Sequence, residues 1–281
     1  MPEVTVTAVT AVESPGTSPQ GRPRGRVSIM TSTLLHRLLA ESVGTAMLVL
    51  VGAGSVVATL TVDGEVGYAG LGFISLAFAI IVAVVIYGFG PVSGAHINPA
   101  VTISLAVTRR FPWAEVLPYV LAQVVGGIVG ALLIVAVFGT DAADLGLGAT
   151  TLADGVPYWQ GIVAEILGTF VLLYAVMALA VDSRAPLGWA GLMIGLAVAA
   201  AILLIAPQTG GSLNPARTFG PYLGVTIFGG DIPWSDFGVY LIGPVVGAVA
   251  AALVYDFIAQ TRTGARPAEE ESFTPAPGED G

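Results

Sequence analysis

Residues 93–102 read Ser-Gly-Ala-His-Ile-Asn-Pro-Ala-Val-Thr, and residues 211–218 read Gly-Ser-Leu-Asn-Pro-Ala-Arg-Thr. In both, a polar, Gly-bearing link runs into Asn-Pro-Ala (Asn98, Pro99 and Ala100; Asn214, Pro215 and Ala216), and each Asn-Pro-Ala opens a short apolar segment. The local chemistry is that of a helix start. Asn is a favoured N-cap because its side-chain oxygen accepts a backbone N–H that has no partner in the first turn. Pro suits the first helical position, where its missing N–H costs nothing and its fixed φ is already helical. A single such start is an ordinary helix cap. Two identical starts, one in each half of an apolar chain, need another reason.

The segment after Asn98 runs about ten residues to Arg109-Arg110, roughly 15 Å of helix and about half of a ~30 Å hydrocarbon core. It reads as a half-helix that enters a membrane without crossing it. Re-entrant backbone at that depth is tolerated where protein or a watery cavity surrounds it. Two half-helix N-termini meeting near the midplane would point two positive dipole ends into one lumen. The Asn98 and Asn214 amides would be donors there, an arrangement that orients a neutral hydrogen-bonding solute and opposes a cation.

Composition agrees with a membrane setting. The chain is 55% hydrophobic and 10% charged, against about 25% charged for a soluble domain. It has no Lys, so its net charge of −9 comes from Arg set against Asp and Glu. Much of that charge lies in tails and outer loops, and nothing points to nucleic acid. With no Cys, there is no disulfide framework, thiol catalysis or Cys-ligated metal. Two His and no clustered carboxylates leave no metal centre, and no cofactor is implied.

In chain order, residues 1–31 read as a disordered tail and residues 32–259 as the membrane domain. Residues 260–281 read as a second disordered tail. Apolar spans are expected at about Leu34–Leu60, Leu71–Gly90, Val116–Phe138, Trp159–Val181, Leu187–Ala206 and Phe237–Ile258. Glu-x-x-Gly-Thr recurs at Glu41 and at Glu165. The order span, span, half-helix, span thus occurs twice, at about 34–138 and 158–259. Three spans per half invert the second half relative to the first. The fold class is an all-α membrane protein with six transmembrane helices, two re-entrant half-helices and an inverted repeat. Arg22, Arg24, Arg26, Arg37, Arg109, Arg110, Arg184, Arg262 and Arg266 all fall on one side. That side is cytoplasmic by the positive-inside rule, with both termini there and the chain multi-pass in the plasma membrane. Arg217, beside the second Asn-Pro-Ala, falls on the other.

Over about residues 34–259 the chain resembles the aquaporin and aquaglyceroporin family. The resemblance is carried by the two Asn-Pro-Ala motifs, the paired Glu-x-x-Gly-Thr and the Arg directly after the second motif. It implies a homotetramer of six-span protomers, each with a passive pore for water and small neutral solutes such as glycerol, and proton and ion exclusion. It implies an outer constriction of Phe78, Ile202, Gly211 and Arg217. It assigns Glu41 and Glu165 to holding the re-entrant loops, with His96 as a loop brace. Water-specific members carry His where this chain has Ile202. Glycerol facilitators carry a second aromatic and an Asp where this chain has Thr218. The implied filter is wider and greasier than a water-specific one.

The bland readings are plain. Glu41 and Glu165 are costly at membrane depth and must be partnered whatever they do. Phe78 and Ile202 would pass as packing residues without the spacing, and Arg217 as a snorkelling interfacial residue. The alternative function is a secondary transporter, which also uses inverted repeats and broken helices. An enzyme lacks a nucleophile–base pair or metal cluster. A structural junction protein would not need Arg217 with both Asn residues. A chain without Cys should be insensitive to mercurial reagents; reversible mercury block of water flux would contradict this.

Overall fold

The structure is a computed structural model, and it describes residues 32–259. The two tails expected at 1–31 and 260–281 lie outside the described residues. Among the described residues, eight helices longer than one or two turns follow in order: α1 Leu34–Asp63, α2 Tyr68–Ser93, α3 Pro99–Val107, α4 Trp113–Phe138, α5 Tyr158–Val181, α6 Ala190–Thr209, α7 Pro215–Ile227 and α8 Phe237–Ala259. All but α3 and α7 belong to segments long and apolar enough to cross a membrane. The nine residues of α3 span about 14 Å and the thirteen of α7 about 20 Å, so both are half-helices.

The span ends differ from the sequence reading in two informative places. α2 continues past Gly90 through Pro91 to Ser93, and α6 continues past Ala206 through Pro207 to Thr209. Proline breaks a helix by removing an N–H and crowding the preceding turn. Here each proline sits in the last turn, three residues before a left-handed glycine (Gly94, φ 89°; Gly210, φ 76°) that ends the helix. The helix is therefore ending where the penalty falls. α6 also begins at Ala190 rather than Leu187, because Pro186-Leu187-Gly188 forms the preceding turn.

Two helices carry a widened turn. In α1 the N–H of Gly54 reaches Val49 O, five residues back, across Val49–Ala53. In α5 the turn Met177–Val181 closes with Asp182 N–H on Met177 O at 3.0 Å.

The helices pack through glycine. A β-carbon on Gly126 of α4 would lie 2.9 Å from the Ser42 carbonyl carbon of α1. One on Gly247 of α8 would lie 2.9 Å from the Ile166 carbonyl carbon of α5. Ser42 and Ile166 each follow the glutamate of a Glu-x-x-Gly-Thr motif, so the α1–α4 contact of the first half reappears as α5–α8 in the second. Small residues at such crossings let backbones approach where apolar packing against lipid offers no driving force.

Ionic contacts gather at the end that carries the N-terminus of α1. Arg37 meets Glu115 at 2.6 Å, Arg110 bridges to Asp256 of α8 at 2.9 Å, and Arg184 pairs with Asp182 at 2.9 Å. Tyr255 also donates to Asp182 at 2.8 Å, tying the α5–α6 turn to α8.

Gly126→Ala should overpack the α1–α4 contact by about 1–3 kcal/mol and lower the thermal midpoint in detergent. Gly72→Ala, with open space around its β-carbon, should not lower it, since alanine suits a helix interior better than glycine. Equal midpoints for both variants would contradict the packing assignment.

Candidate pore and its constriction

The loops that feed α3 and α7 are braced in the same way. Glu41 of α1 accepts from the backbone N–H of His96 (2.9 Å) and Ile97 (2.6 Å). Glu165 of α5 accepts from Ser212 N–H (2.9 Å) and Leu213 N–H (2.8 Å). The hydroxyl that ends the preceding span joins each carboxylate at 2.7 Å, Ser93 to Glu41 and Thr209 to Glu165. That same hydroxyl accepts the N–H two residues on, from Ala95 at 3.0 Å and from Gly211 at 3.1 Å. A tyrosine from the last span of each half then donates to its backbone carbonyl, Tyr119 to Ser93 O (3.0 Å) and Tyr240 to Thr209 O (2.8 Å).

The two half-helices meet end to end through their caps. Asn98 Oδ1 accepts from Ala100 N–H at 2.9 Å, and Asn214 Oδ1 from Ala216 N–H at 3.0 Å and Arg217 N–H at 3.2 Å. Each Asn Nδ2 then crosses to the opposite loop, Asn98 to Leu213 O and Asn214 to Ile97 O, both at 2.8 Å. An amide NH2 has two protons, so one from each Asn is left over for a guest. Ile97 (φ 43°) and Leu213 (φ 60°) are held in left-handed backbone, a conformation that is an outlier for a bulky or branched side chain. In each loop this residue supplies the carbonyl that the opposite Asn uses.

The halves differ one residue earlier. His96 Nδ1 and Thr102 Oγ1 are 3.1 Å apart, and the ring packs against Phe111 and Tyr119. Gln123 Nε2 donates to Thr102 at 3.0 Å and to Glu41 at 2.8 Å. In the second half Ser212 takes the place of His96 and pairs with Thr218 at 2.6 Å. Thr218 in turn meets Thr150, from the 139–157 connection, at 2.8 Å.

A cavity of about 230 Å³ passes both Asn residues. Its walls are otherwise largely apolar: Val82, Val101, Leu172 and Val198 are among them. Phe78, Ile202 and Arg217 line it, as do Ile86, Leu105 and Val181. The first of these groups carries the cavity's guanidinium. Arg217 is 2% exposed, with Cζ 5.1 Å from the Phe78 ring centroid. Its Nη1 donates to Gly148 O at 2.8 Å, and its Nε has no partner among the described residues.

Phe78, Ile202, Arg217, His96, Asn98 and Asn214 thus line one cavity. Gly211 has no side chain to add to that wall. A β-carbon on it would meet Ala206 at 3.3 Å and the Ile202 backbone at 3.4 Å, facing α6. Pro99, Ala100, Pro215 and Ala216 form the first turns behind the caps, and Glu41 and Glu165 stand behind the loops.

Sequence reasoning gave no role to the 139–157 connection, a long loop that carries Asp141, Asp144 and Asp154. Leu147 of that segment is fully buried, and Gly148 and Thr150 supply the partners of Arg217 and Thr218. The run Gly-Leu-Gly-Ala-Thr at 146–150 was the available signal. All three of Gly146, Leu147 and Gly148 take positive φ, which two glycines in three residues make accessible.

A membrane-spanning helical bundle whose two half-helices face one another along an internal lumen is a channel. The chain belongs to the major intrinsic protein family, whose family model matches residues 28–255. It is 49% identical over 246 residues to the probable aquaporin AqpM of Archaeoglobus fulgidus, covering 82% of this chain and 100% of that one. It is 45% identical over 241 residues to aquaporin AqpM of Methanothermobacter marburgensis, covering 80% and 98%. The fold matches the X-ray structure of the aquaglyceroporin from Plasmodium falciparum, with a TM-score of 0.73 over 81% of this chain and 97% of that one, at 23% identity. As a member of the family the protein is a passive channel for water and small solutes.

Glu165→Ala should strand the N–H groups of Ser212 and Leu213 at a cost of about 1–3 kcal/mol each. The expected result is a sharp loss of monodisperse protein on size exclusion, with Glu165→Gln intermediate. An alanine variant with the wild-type elution profile and thermal midpoint would contradict the brace.

Proposed function

We propose that the lumen conducts water together with small neutral solutes of glycerol size, and that it excludes ions and protons. The observation that carries this reading is the meeting of two capped half-helix N-termini inside an apolar tube. A guest at Asn98 and Asn214 finds one spare N–H from each amide, so its oxygen accepts from both. Two positive helix ends at the same point oppose a cation and turn a water's oxygen toward them. Apolar walls on either side offer that water no competing partner.

Arg217 is the second element. Its unpartnered Nε and its charge act where the passage is bounded by Phe78 and Ile202. Both of those are apolar, so recognition there rests on one guanidinium and size. The aquaporin names of the two archaeal relatives support water as a substrate. Ile202 in place of a polar side chain supports passage of partly apolar neutral solutes beside it.

The same reading makes the protein a channel and not an enzyme, without cofactor or metal. It forms a homotetramer in the plasma membrane with both termini cytoplasmic, the ionic end of the bundle facing the cytoplasm. A coupled transporter is disfavoured by the use of Glu41 and Glu165. Their oxygens are taken up by loop N–H groups and hydroxyls, which leaves no carboxylate among the described residues lining the cavity for a coupling ion.

Proteoliposomes under osmotic steps of sucrose, glycerol and urea test the solute range. Wild type should show water flux well above empty vesicles and glycerol flux above them by a smaller factor. Ile202→His should reduce glycerol flux more than water flux. Glycerol flux equal to that of empty vesicles would overturn the wider-filter reading. Arg217→Val should add a proton leak measurable with an internal pH dye; folded Arg217→Val vesicles as tight as wild type would contradict the exclusion role.

A further inference from the structure

We propose that Gly52, within the widened turn of α1, is a positioning residue that sets how far the Phe78 ring stands out of the lumen. The inference rests on Phe78 being part of the constriction.

Gly52 is buried, and it faces a ring rather than a backbone. A β-carbon there would lie 2.5 Å from Phe78 Cδ1 and 2.6 Å from Cζ, and closer still to Cε1. No side chain fits between them. The glycines at the helix crossings, such as Gly126 and Gly247, instead face carbonyl groups of the next helix. Gly52 therefore makes room for one particular side chain, and that side chain is 4% exposed and lines the lumen.

The next residue in the turn serves the other side of the passage. Ala53 lies against Gly148, where a β-carbon would come within 2.8 Å of the Ala53 carbonyl carbon. Gly148 O is the acceptor that holds Arg217 Nη1 at 2.8 Å. So two adjacent residues of α1 bear on both partners of the Phe78–Arg217 pair, whose separation is 5.1 Å from guanidinium carbon to ring centroid. A single helical turn sets the spacing. That turn departs from regular α geometry, with Gly54 N–H on Val49 O, and one-turn widenings of this kind recur at functional sites. Glycine inside a helix is less favourable than alanine, so both features carry a cost that the ring's seat explains.

Gly52→Ala leaves the ring one direction to move, away from α1 and into the passage. The expected effect is a narrower constriction, felt more by a larger solute than by water.

The test uses full-length protein in proteoliposomes: wild type, Gly52→Ala, Phe78→Leu and the double variant, each assayed for water and glycerol flux. Gly52→Ala should cut water flux severalfold and lower the glycerol-to-water ratio. Phe78→Leu should raise glycerol flux. Adding Gly52→Ala to Phe78→Leu should then change either flux by less than twofold, because the displaced ring is gone. Wild-type fluxes in Gly52→Ala would overturn the proposal. So would an equal factor of loss in both backgrounds, which would leave the constriction reading intact. Phe78→Leu with both fluxes at wild-type level would overturn the constriction reading itself, and this proposal with it. If Gly52→Ala does not fold, the double variant decides: folded protein with Phe78→Leu fluxes supports the proposal, and failure of the double to fold overturns it.

Discussion

The structure depends on one interaction made twice: a buried glutamate that accepts two consecutive backbone N–H groups of a loop inside the membrane. Loop backbone has no intrinsic partners, and an unsatisfied group in a lipid-depth environment costs several kcal/mol. Glu41 and Glu165 supply the acceptors for His96 and Ile97, and for Ser212 and Leu213. With the N–H groups drawn back toward the carboxylate, the carbonyls of Ile97 and Leu213 are turned the other way, and each meets the opposite Asn. The left-handed φ of these residues is of the kind that costs about 1–3 kcal/mol. The brace on one side and the Asn amide on the other hold it in place. Helix caps, loop strain and lumen wall are consequences of the same arrangement.

What would count as hydrophobic core in a soluble bundle is here the wall of a tube. Phe78, Val82, Val101, Leu172, Val198 and Ile202 belong to one buried apolar cluster and also line the cavity. An apolar wall interrupted at two amides and one guanidinium gives a solute few places to bind and therefore few places to stop.

The architecture was legible in the sequence because its signals are local. Asn-Pro-Ala and Glu-x-x-Gly-Thr each sit within a few residues, and their duplication gives the inverted repeat directly. Phe78, Ile202 and Arg217 were singled out by the family resemblance, and all three line the cavity. What the sequence hid is carried by long-range approach. Gly148 and Thr150 reach Arg217 and Thr218 from a connection about seventy residues away. The widened turn at Val49–Ala53 adds one residue to a helix whose lipid-facing pattern is nearly uniform, so no periodicity marks it. Gly211, which the resemblance placed in the constriction, has no side chain, and its left-handed backbone turns the β-position toward Ile202 and Ala206. Thr218 has a structural account of its own, since its hydroxyl links Ser212 to Thr150.

The central claim is that the two re-entrant loops are fixed walls, held from behind while they face a wet lumen. Hydrogen–deuterium exchange on the protein in lipid nanodiscs reads this directly, through peptides covering 93–100 and 209–217. The account predicts that the amides of His96, Ile97, Ser212 and Leu213 exchange as slowly as those of the adjoining helices α2 and α6. Exchange at the rate of the exposed 182–189 connection would contradict it.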